Sequence, residues 1–509
     1  MDIKRAKQEV ENAVEAYLLK DEQGEYRIPE IRQRPVLLMG PPGIGKTQIM
    51  EQIAKELKIG LVAYTITHHT RQSAVGLPFI KEREYGGKTY SVTEYTMSEI
   101  IASVYEKMEK TGMKEGILFL DEINCVSETL APTMLQFLQC KTFGNQKIPA
   151  GWVIVAAGNP PEYNKSVREF DVVTLDRLKK IEIEANFPVW KEYAYRQGLH
   201  PAVISYLELR KENFYRIENT VDGKYFVTAR GWEDLSQLIQ VYELLGKTVD
   251  REVVTQYLQH RIVAKDFANY LELYYKYKKD YNVEDILEGQ WDKNTLRKIG
   301  AASFDEHLSI ISLLNGKLGE MFRDTFRMDA YVTKLYEYLV YFREHQEDIL
   351  LSDVEKSVEN DLECGKRSET FTKEEERIFQ KVSATFRQFL MKLAEKNQDS
   401  IDGQKNEFEK VRELFGGETK KLDVQTEHTA QVLENVFHFM EDAFGDSQEM
   451  VAFITELNAN YYSLWFIREN GSDLYYRYNK GLLFDQRQQE IERQMDDVEM
   501  LAAARGGIS

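Results

Sequence analysis

The sequence predicts an α/β core built on a parallel sheet, followed by a helical lid and a mainly α-helical C-terminal region. Three observations carry that prediction. Short apolar runs recur in the first part of the chain. Helical periodicity fills the intervals between them. Beyond about residue 188 the strand signal fades and amphipathic helical patterns take over.

The apolar runs are Val36-Leu37-Leu38-Met39, residues 61–66, Ile117-Leu118-Phe119-Leu120 and residues 153–157. Each is short and aliphatic, without polar alternation, as suits strands buried on both faces of a parallel sheet. Between them, Ile49, Ile53, Ala54 and Leu57 mark one apolar helix face, and Ile100, Ile101, Val104, Tyr105 and Met108 mark another. Such strand-helix repetition implies αβα layering with right-handed crossovers. Two stretches interrupt it. Residues 76–95, GLPFIKEREYGGKTYSVTEY, read as a hairpin turning at Gly86-Gly87, and residues 141–151, KTFGNQKIPAG, as a looser one. The resulting division is a nucleotide-binding core at 1–187, a helical lid at 188–278 and a helical region at 279–509. Within the last, chain breaks are expected near Asp361–Arg367, Asp402–Gln404 and Gly416-Gly417.

Bulk properties exclude several classes. At 509 residues the chain is long enough for about three domains, and 43% hydrophobic with 29% charged residues is ordinary globular composition. A net charge of −18 is the wrong sign for gripping phosphate backbones and counts against a nucleic-acid partner, unless a basic channel is enclosed in an acidic whole. No run approaches the ~20 apolar residues of a membrane span. The start, MDIKRAKQEVENAVEAYLL, is amphipathic and charged, without a signal-peptide core. Three cysteines make no disulfide framework and no CxxC pair. The expectation is a cytoplasmic protein with no membrane attachment.

The chemistry begins at residues 40–47, GPPGIGKT. Gly40-x4-Gly45-Lys46-Thr47 follows a strand run and opens a helix pattern, the context that marks a P-loop. Backbone N–H groups wrap a β-phosphate, the helix dipole adds to them, Lys46 spans the β- and γ-oxygens, and Thr47 ligates Mg2+. The nucleotide is therefore assigned to Gly40, Pro41, Pro42, Gly43, Ile44, Gly45, Lys46, Thr47 and Gln48.

Asp121 ends the third strand run, where it can hold Mg2+ through its water shell, with Glu122 placed to deprotonate a water aimed at the γ-phosphate. A phosphotransferase gains nothing from such a water, so Glu122 speaks for hydrolysis. Asn159 follows the fourth run in AAGNPP, where an amide can hold the attacking water. Arg177, in LDRL, and Arg230, in TARGWE, are candidates to reach the γ-phosphate, one from a neighbouring subunit and one from its own.

With these elements in this order, the sequence resembles the AAA+ ATPases over roughly residues 30–275. Within them it looks like the MoxR group, on the insertion at Gly76-Leu77-Pro78, the hairpin before Asn159, GNPPEYN at 158–164 and LDRL at 175–178. The resemblance implies an α/β P-loop NTPase core with a small lid and a homo-oligomeric ring, usually a hexamer. ATP and Mg2+ would be held between subunits. It makes Asn159 sensor 1, Arg177 the trans-acting finger and Arg230 sensor 2. It also implies chaperone-like remodelling or metal-cofactor insertion, often with a von Willebrand A domain partner. The sequence departs from the family at Ala229, where Pro is usual before the sensor-2 Arg. Arg168 is a rival finger, and residues after about 280 match no family motif.

Other features are less decisive. Phe79 and Tyr85 on the 76–95 hairpin would grip a substrate, or the hairpin is a structural insertion. His68 and His69 are neighbours that a strand would point to opposite faces, which disfavours a metal pair. The aromatic stretch 461–484 is a bundle core or a docking surface. Three functions remain: a motor that remodels a protein, a nucleic-acid translocase or restriction-type motor subunit, and an ATP-binding scaffold with little turnover.

Overall fold

A computed structural model of the chain describes residues 1–68, 71–143, 146–163, 167, 170–220, 223–345, 348–396 and 403–482. The chain divides into two compact units. The first comprises Met1–Val189, Thr228–Gly231 and Glu337–Gln398; the second comprises Trp190–Val227, Trp232–Tyr336 and Asp399–Ser509.

The first unit is built on a five-stranded sheet. Its strands are β1 (Val36–Met39), β2 (Gly60–Thr65), β5 (Gly116–Asp121), β8 (Trp152–Gly158) and β9 (Lys179–Glu182), in the order β2-β5-β8-β1-β9. Every pairing is parallel, with Leu38 opposite Ala157 and Ile181, and Phe119 opposite Ala63 and Val155. Alternate residues feed two cores. Val36, Leu38, Ile117, Phe119, Val153 and Val155 pack with helices Ile3–Leu18 and Lys46–Glu56. Leu37, Leu118, Leu120, Ile154 and Ala156 pack with helices Glu99–Thr111 and Ala131–Cys140. Burial on both faces explains the unbroken apolar runs, each aliphatic side chain contributing about 1.5–3 kcal/mol. The αβα core is as predicted, with small differences. Ile66 falls in a 3-10 turn, and Tyr105 is 41% exposed rather than part of the buried helix face.

Both inserted hairpins form. β3 (Pro78–Tyr85) and β4 (Lys88–Tyr95) pair antiparallel around Gly86-Gly87, and β6 (Thr142–Phe143) pairs with β7 (Gln146–Lys147). Every residue of β3 is exposed, Phe79 and Tyr85 included.

Helices Leu351–Ser368 and Lys373–Lys396 also belong to the first unit. The first runs unbroken through Asp361–Arg367, which corrects the chain break expected there; the turn comes at Glu369, with φ 58°. Glu369 accepts hydrogen bonds from Lys107 (2.6 Å) and Lys110 (3.1 Å) of helix Glu99–Thr111.

The second unit is mainly helical, but β10 (Arg216–Thr220) and β11 (Gly223–Val227) form an antiparallel hairpin inside what the sequence presents as an all-helical stretch. Its signal, Asp222-Gly223 between alternating residues, is overshadowed by the helical patterns on either side. Trp232 is fully buried, edge-on to Phe267 at 5.1 Å, and its Nε1 donates to Asn213 O at 3.1 Å. Helix Gly403–Phe444 continues straight through Gly416-Gly417, another correction. Tertiary packing of Val411, Val432, Val436 and Phe437 holds the helix against two unfavourable glycines. In the aromatic stretch Tyr462 and Phe466 are buried, Phe466 lying 5.0 Å from Phe322, so much of it is core. Residues 483–484 lie outside the described residues.

Candidate nucleotide site

The site gathers where β1, β5 and β8 end. Gly43 and Gly45 carry φ +74° and +93°, values L side chains rarely adopt, and Gly45 hands the turn to helix Lys46–Glu56. Gly40 is required for a different reason. A Cβ there would stand 2.7 Å from Ile183 O, so the loop lies flat against the chain leaving β9.

Lys46 is 8% exposed. Its Nζ uses three protons, donating to Gly40 O (2.8 Å), Pro41 O (2.8 Å) and Asn159 Oδ1 (2.9 Å). Burial pushes its pKa down to about 8; Asp121 and Glu122 oppose the shift, while the Arg230 guanidinium reinforces it. Thr47 Oγ1 donates to Asp121 Oδ2 at 2.9 Å. The two oxygens meet where a hard cation would find both, so this donor set suits Mg2+.

Glu122 stands immediately beyond β5 with φ +57°, a conformation costing a non-glycine residue roughly 1–3 kcal/mol. The strain is held from both sides. Glu122 N donates to Asp121 Oδ1 at 2.9 Å, and Ile123 N donates to Ala157 O at 2.9 Å. The kink turns the chain sharply out of the strand at the carboxylate assigned to the water.

Asn124 is a residue the sequence reading missed. It is 2% exposed, its Nδ2 donates to Asn159 O (2.8 Å), and its Oδ1 accepts from Asn159 N (3.3 Å). One amide thus fixes the main chain of Asn159. Its only linear signal is an Asn three residues after Asp121. Gly158 makes room for it, since a Cβ there would stand 2.6 Å from Asn124 Oδ1.

Arg230 reaches the loop through its backbone, Arg230 N donating to Gly43 O at 3.2 Å. Thr228, also missed, packs on the other side of the loop: a Cβ on Gly43 would stand 3.1 Å from the Thr228 side chain, whose Oγ1 accepts from Gly231 N at 3.3 Å. Arg177 is elsewhere. It is exposed at the end of the short helix Val172–Leu175, and its Nη1 donates to Gln139 Oε1. The structure therefore brings Lys46, Thr47, Asp121 and Asn159 into direct hydrogen bonds, sets Glu122 and Arg230 beside them, and leaves Arg177 on the surface. Arg168 and His69 lie outside the described residues. A cleft of ≈ 520 Å³ opens at the strand ends, lined by Gly40, Pro41, Asn124, Pro160, Phe170 and Ile183, where open α/β sheets bind ligands.

Residues 35–178 match the model of an AAA domain, dynein-related subfamily. No curated protein matches. Among solved structures, NtrX from Brucella abortus in complex with ADP is similar at 14% identity and a TM-score of 0.25, over 40% of this chain and 44% of that one. The chain thus spans less than half of NtrX. Residues 35–178 are thus similar to an AAA domain, and no helix among the described residues is long and apolar enough to cross a membrane.

Proposed function

We propose that this chain is a ring-forming, MoxR-like AAA+ ATPase that hydrolyses ATP to remodel or assemble a protein partner, with its sites completed between subunits. The observation that carries the reading is the hydrogen-bonded set of Lys46, Thr47, Asp121 and Asn159, with the strained Glu122 at its edge. A von Willebrand A domain protein as partner, a hexameric ring and a cytoplasmic setting belong to the same proposal, on family resemblance.

The residues divide the work. Backbone N–H groups of the loop bind the phosphates, and Lys46 exchanges its loop carbonyls for phosphate oxygens. Thr47 and Asp121 are the residues that would hold Mg2+, which supplies charge neutralisation on those oxygens. Glu122 accepts the proton of the attacking water as the bond from the γ-phosphorus to the ADP oxygen breaks. Asn159 orients that water, and Arg230 adds positive charge from the same chain. Arg177, exposed and away from its own loop, is suited to reach a neighbour's phosphate.

The test is the ATPase rate per subunit against protein concentration, for wild type and for Glu122→Gln mixed with Arg177→Ala. The ring motor predicts a rate that rises with concentration, two variants nearly inactive alone, and partial recovery on mixing. A rate independent of concentration with an active Arg177→Ala would refute it.

A further inference from the structure

The second unit holds a polar cavity that the ATPase reading does not use. One stripe of helix Phe304–Glu344 carries Ser312, Asn315, Gly316, Gly319, Glu320 and Arg323, at helical spacing of three and four. The glycines let neighbours close on that stripe. A Cβ on Gly316 would stand 2.5 Å from Pro201 Cγ, and one on Gly319 would stand 3.0 Å from Asn460 Nδ2. What remains between the stripe, Gly198 and Gln240 is a cavity of ≈ 50 Å³. A single water needs roughly 10–15 Å³ by the same measure, so there is room for a few waters or one compact ion.

Among the described residues, two of its lining groups have no partner. Asn315 is 6% exposed, and neither Oδ1 nor Nδ2 makes a hydrogen bond. The Nε of Arg323 is likewise buried and unbonded, and no carboxylate pairs with this guanidinium among the described residues. Buried polar atoms are rarely left in this state without a ligand or ordered water, because each orphan forfeits its hydration. The guanidinium is also seated. It lies directly over the α-carbon of Gly198, where any Cβ would overlap its Nη1, and Gly198 has φ +66°. Gln240 Nε2 donates to Gly198 O at 2.7 Å and fixes that turn.

Charge decides the kind of ligand. The two carboxylates on the lining already have cations: Glu320 pairs with Lys317 at 3.0 Å, and Glu456 with Lys191. Lys191 is shared with Glu208 at 2.7 Å, which Lys211 meets at 2.7 Å. Among the lining residues Arg323 is the cation, and Glu320 and Glu456 are each paired with a lysine rather than with it. We propose that this cavity binds a compact oxyanion, inorganic phosphate or a small carboxylate, through the Arg323 guanidinium and the Asn315 amide. The planar fork of arginine suits either.

The experiment is thermal unfolding and titration calorimetry of the full chain with sodium phosphate, sodium acetate and sodium chloride at equal ionic strength, without nucleotide. Phosphate or acetate should raise the unfolding temperature in a saturable way that chloride does not match, and the more effective of the two identifies the source. Arg323→Gln should weaken that anion by about 10-fold or more, the scale of losing a charged hydrogen bond. Asn315→Asp, close to isosteric, should remove the cavity's share of the response, leaving at most what the empty P-loop gives to phosphate, by placing a negative charge in the cavity, which keeps the test valid if Arg323→Gln fails to fold. Nucleotide binding in Asn315→Asp should match wild type, separating this site from the P-loop. Equal responses to all three salts, or an undiminished response in Asn315→Asp, would overturn the proposal.

Discussion

Asn124 holds Asn159 by the backbone on both sides of one residue, donating to its carbonyl at 2.8 Å and accepting from its N–H at 3.3 Å. Asn159 in turn accepts from Lys46 at 2.9 Å. The Asn159 amide is thus aimed at the P-loop by a buried side chain whose hydrogen bonds go to the Asn159 main chain. In the proposed mechanism Asn124 is a positioning residue, and its loss should be felt in turnover more than in binding.

Asn124→Ala is therefore expected to lower kcat by roughly 10–100-fold while changing the KM for ATP by less than about threefold. Gly158→Ala should reproduce the pattern, since its Cβ would press on Asn124 Oδ1 at 2.6 Å. Steady-state kinetics on both variants decide it. A large rise in KM at unchanged kcat would place Asn124 in nucleotide binding instead.

Lys46 gives a pH dependence with a definite sign. Its pKa in the folded chain is about 8, below the ordinary 10.5, because burial disfavours the ammonium. Between those values the unfolded chain keeps a proton that the folded chain releases, so this residue's penalty on folding is full below pH 8 and is relieved as pH rises. Phosphate favours the ammonium. ATP affinity should hold level up to about pH 8 and then fall, approaching tenfold per pH unit, with proton uptake on binding. Calorimetry in two buffers of different ionisation enthalpy at pH 8.5 measures the uptake. Zero uptake would show that Lys46 is already protonated there.

Arg230 separates charge from architecture. Its contact with Gly43 runs through main-chain atoms, so Arg230→Ala keeps the 3.2 Å hydrogen bond and removes only the guanidinium. Turnover should fall by about 10²–10³-fold, the scale of losing one transition-state donor, with the fold intact. Because Arg230 helps lower the pKa of Lys46, the break in the pH profile should also move upward in this variant. A profile that stays put would mean the guanidinium does not face the lysine in solution.

Helix Gly403–Phe444 makes a prediction of the opposite sign. A Cβ at Gly416 or at Gly417 would meet nothing within 4 Å. Replacing both with Ala should stabilise the chain by about 1–2 kcal/mol, through helix propensity and reduced freedom of the unfolded state. Chemical denaturation measures it. Destabilisation would imply that the glycines are needed for a bend or a contact absent from this conformation.

The P-loop, the Asp121-Glu122 pair and the four core strands were legible in the sequence because their signals are local. A strand buried on both faces must be a continuous apolar run. A tight phosphate turn must place glycines where φ is positive, and a carboxylate at a strand's end is adjacent in sequence to the strand that presents it. The hairpin at 216–227 was illegible because helical patterns on both sides set the context, and Gly416-Gly417 misled because packing outweighed propensity. Only tertiary structure decided the rest. The hold of Asn124 on Asn159, the approach of Thr228 and Arg230 to Gly43, and the unpaired Arg323 and Asn315 each join residues by distances and partner counts, which a linear pattern does not encode. Chemistry carried by neighbours in sequence is written in the sequence; chemistry made by bringing distant elements within hydrogen-bonding range, and by leaving a buried group without a partner, exists only in the fold.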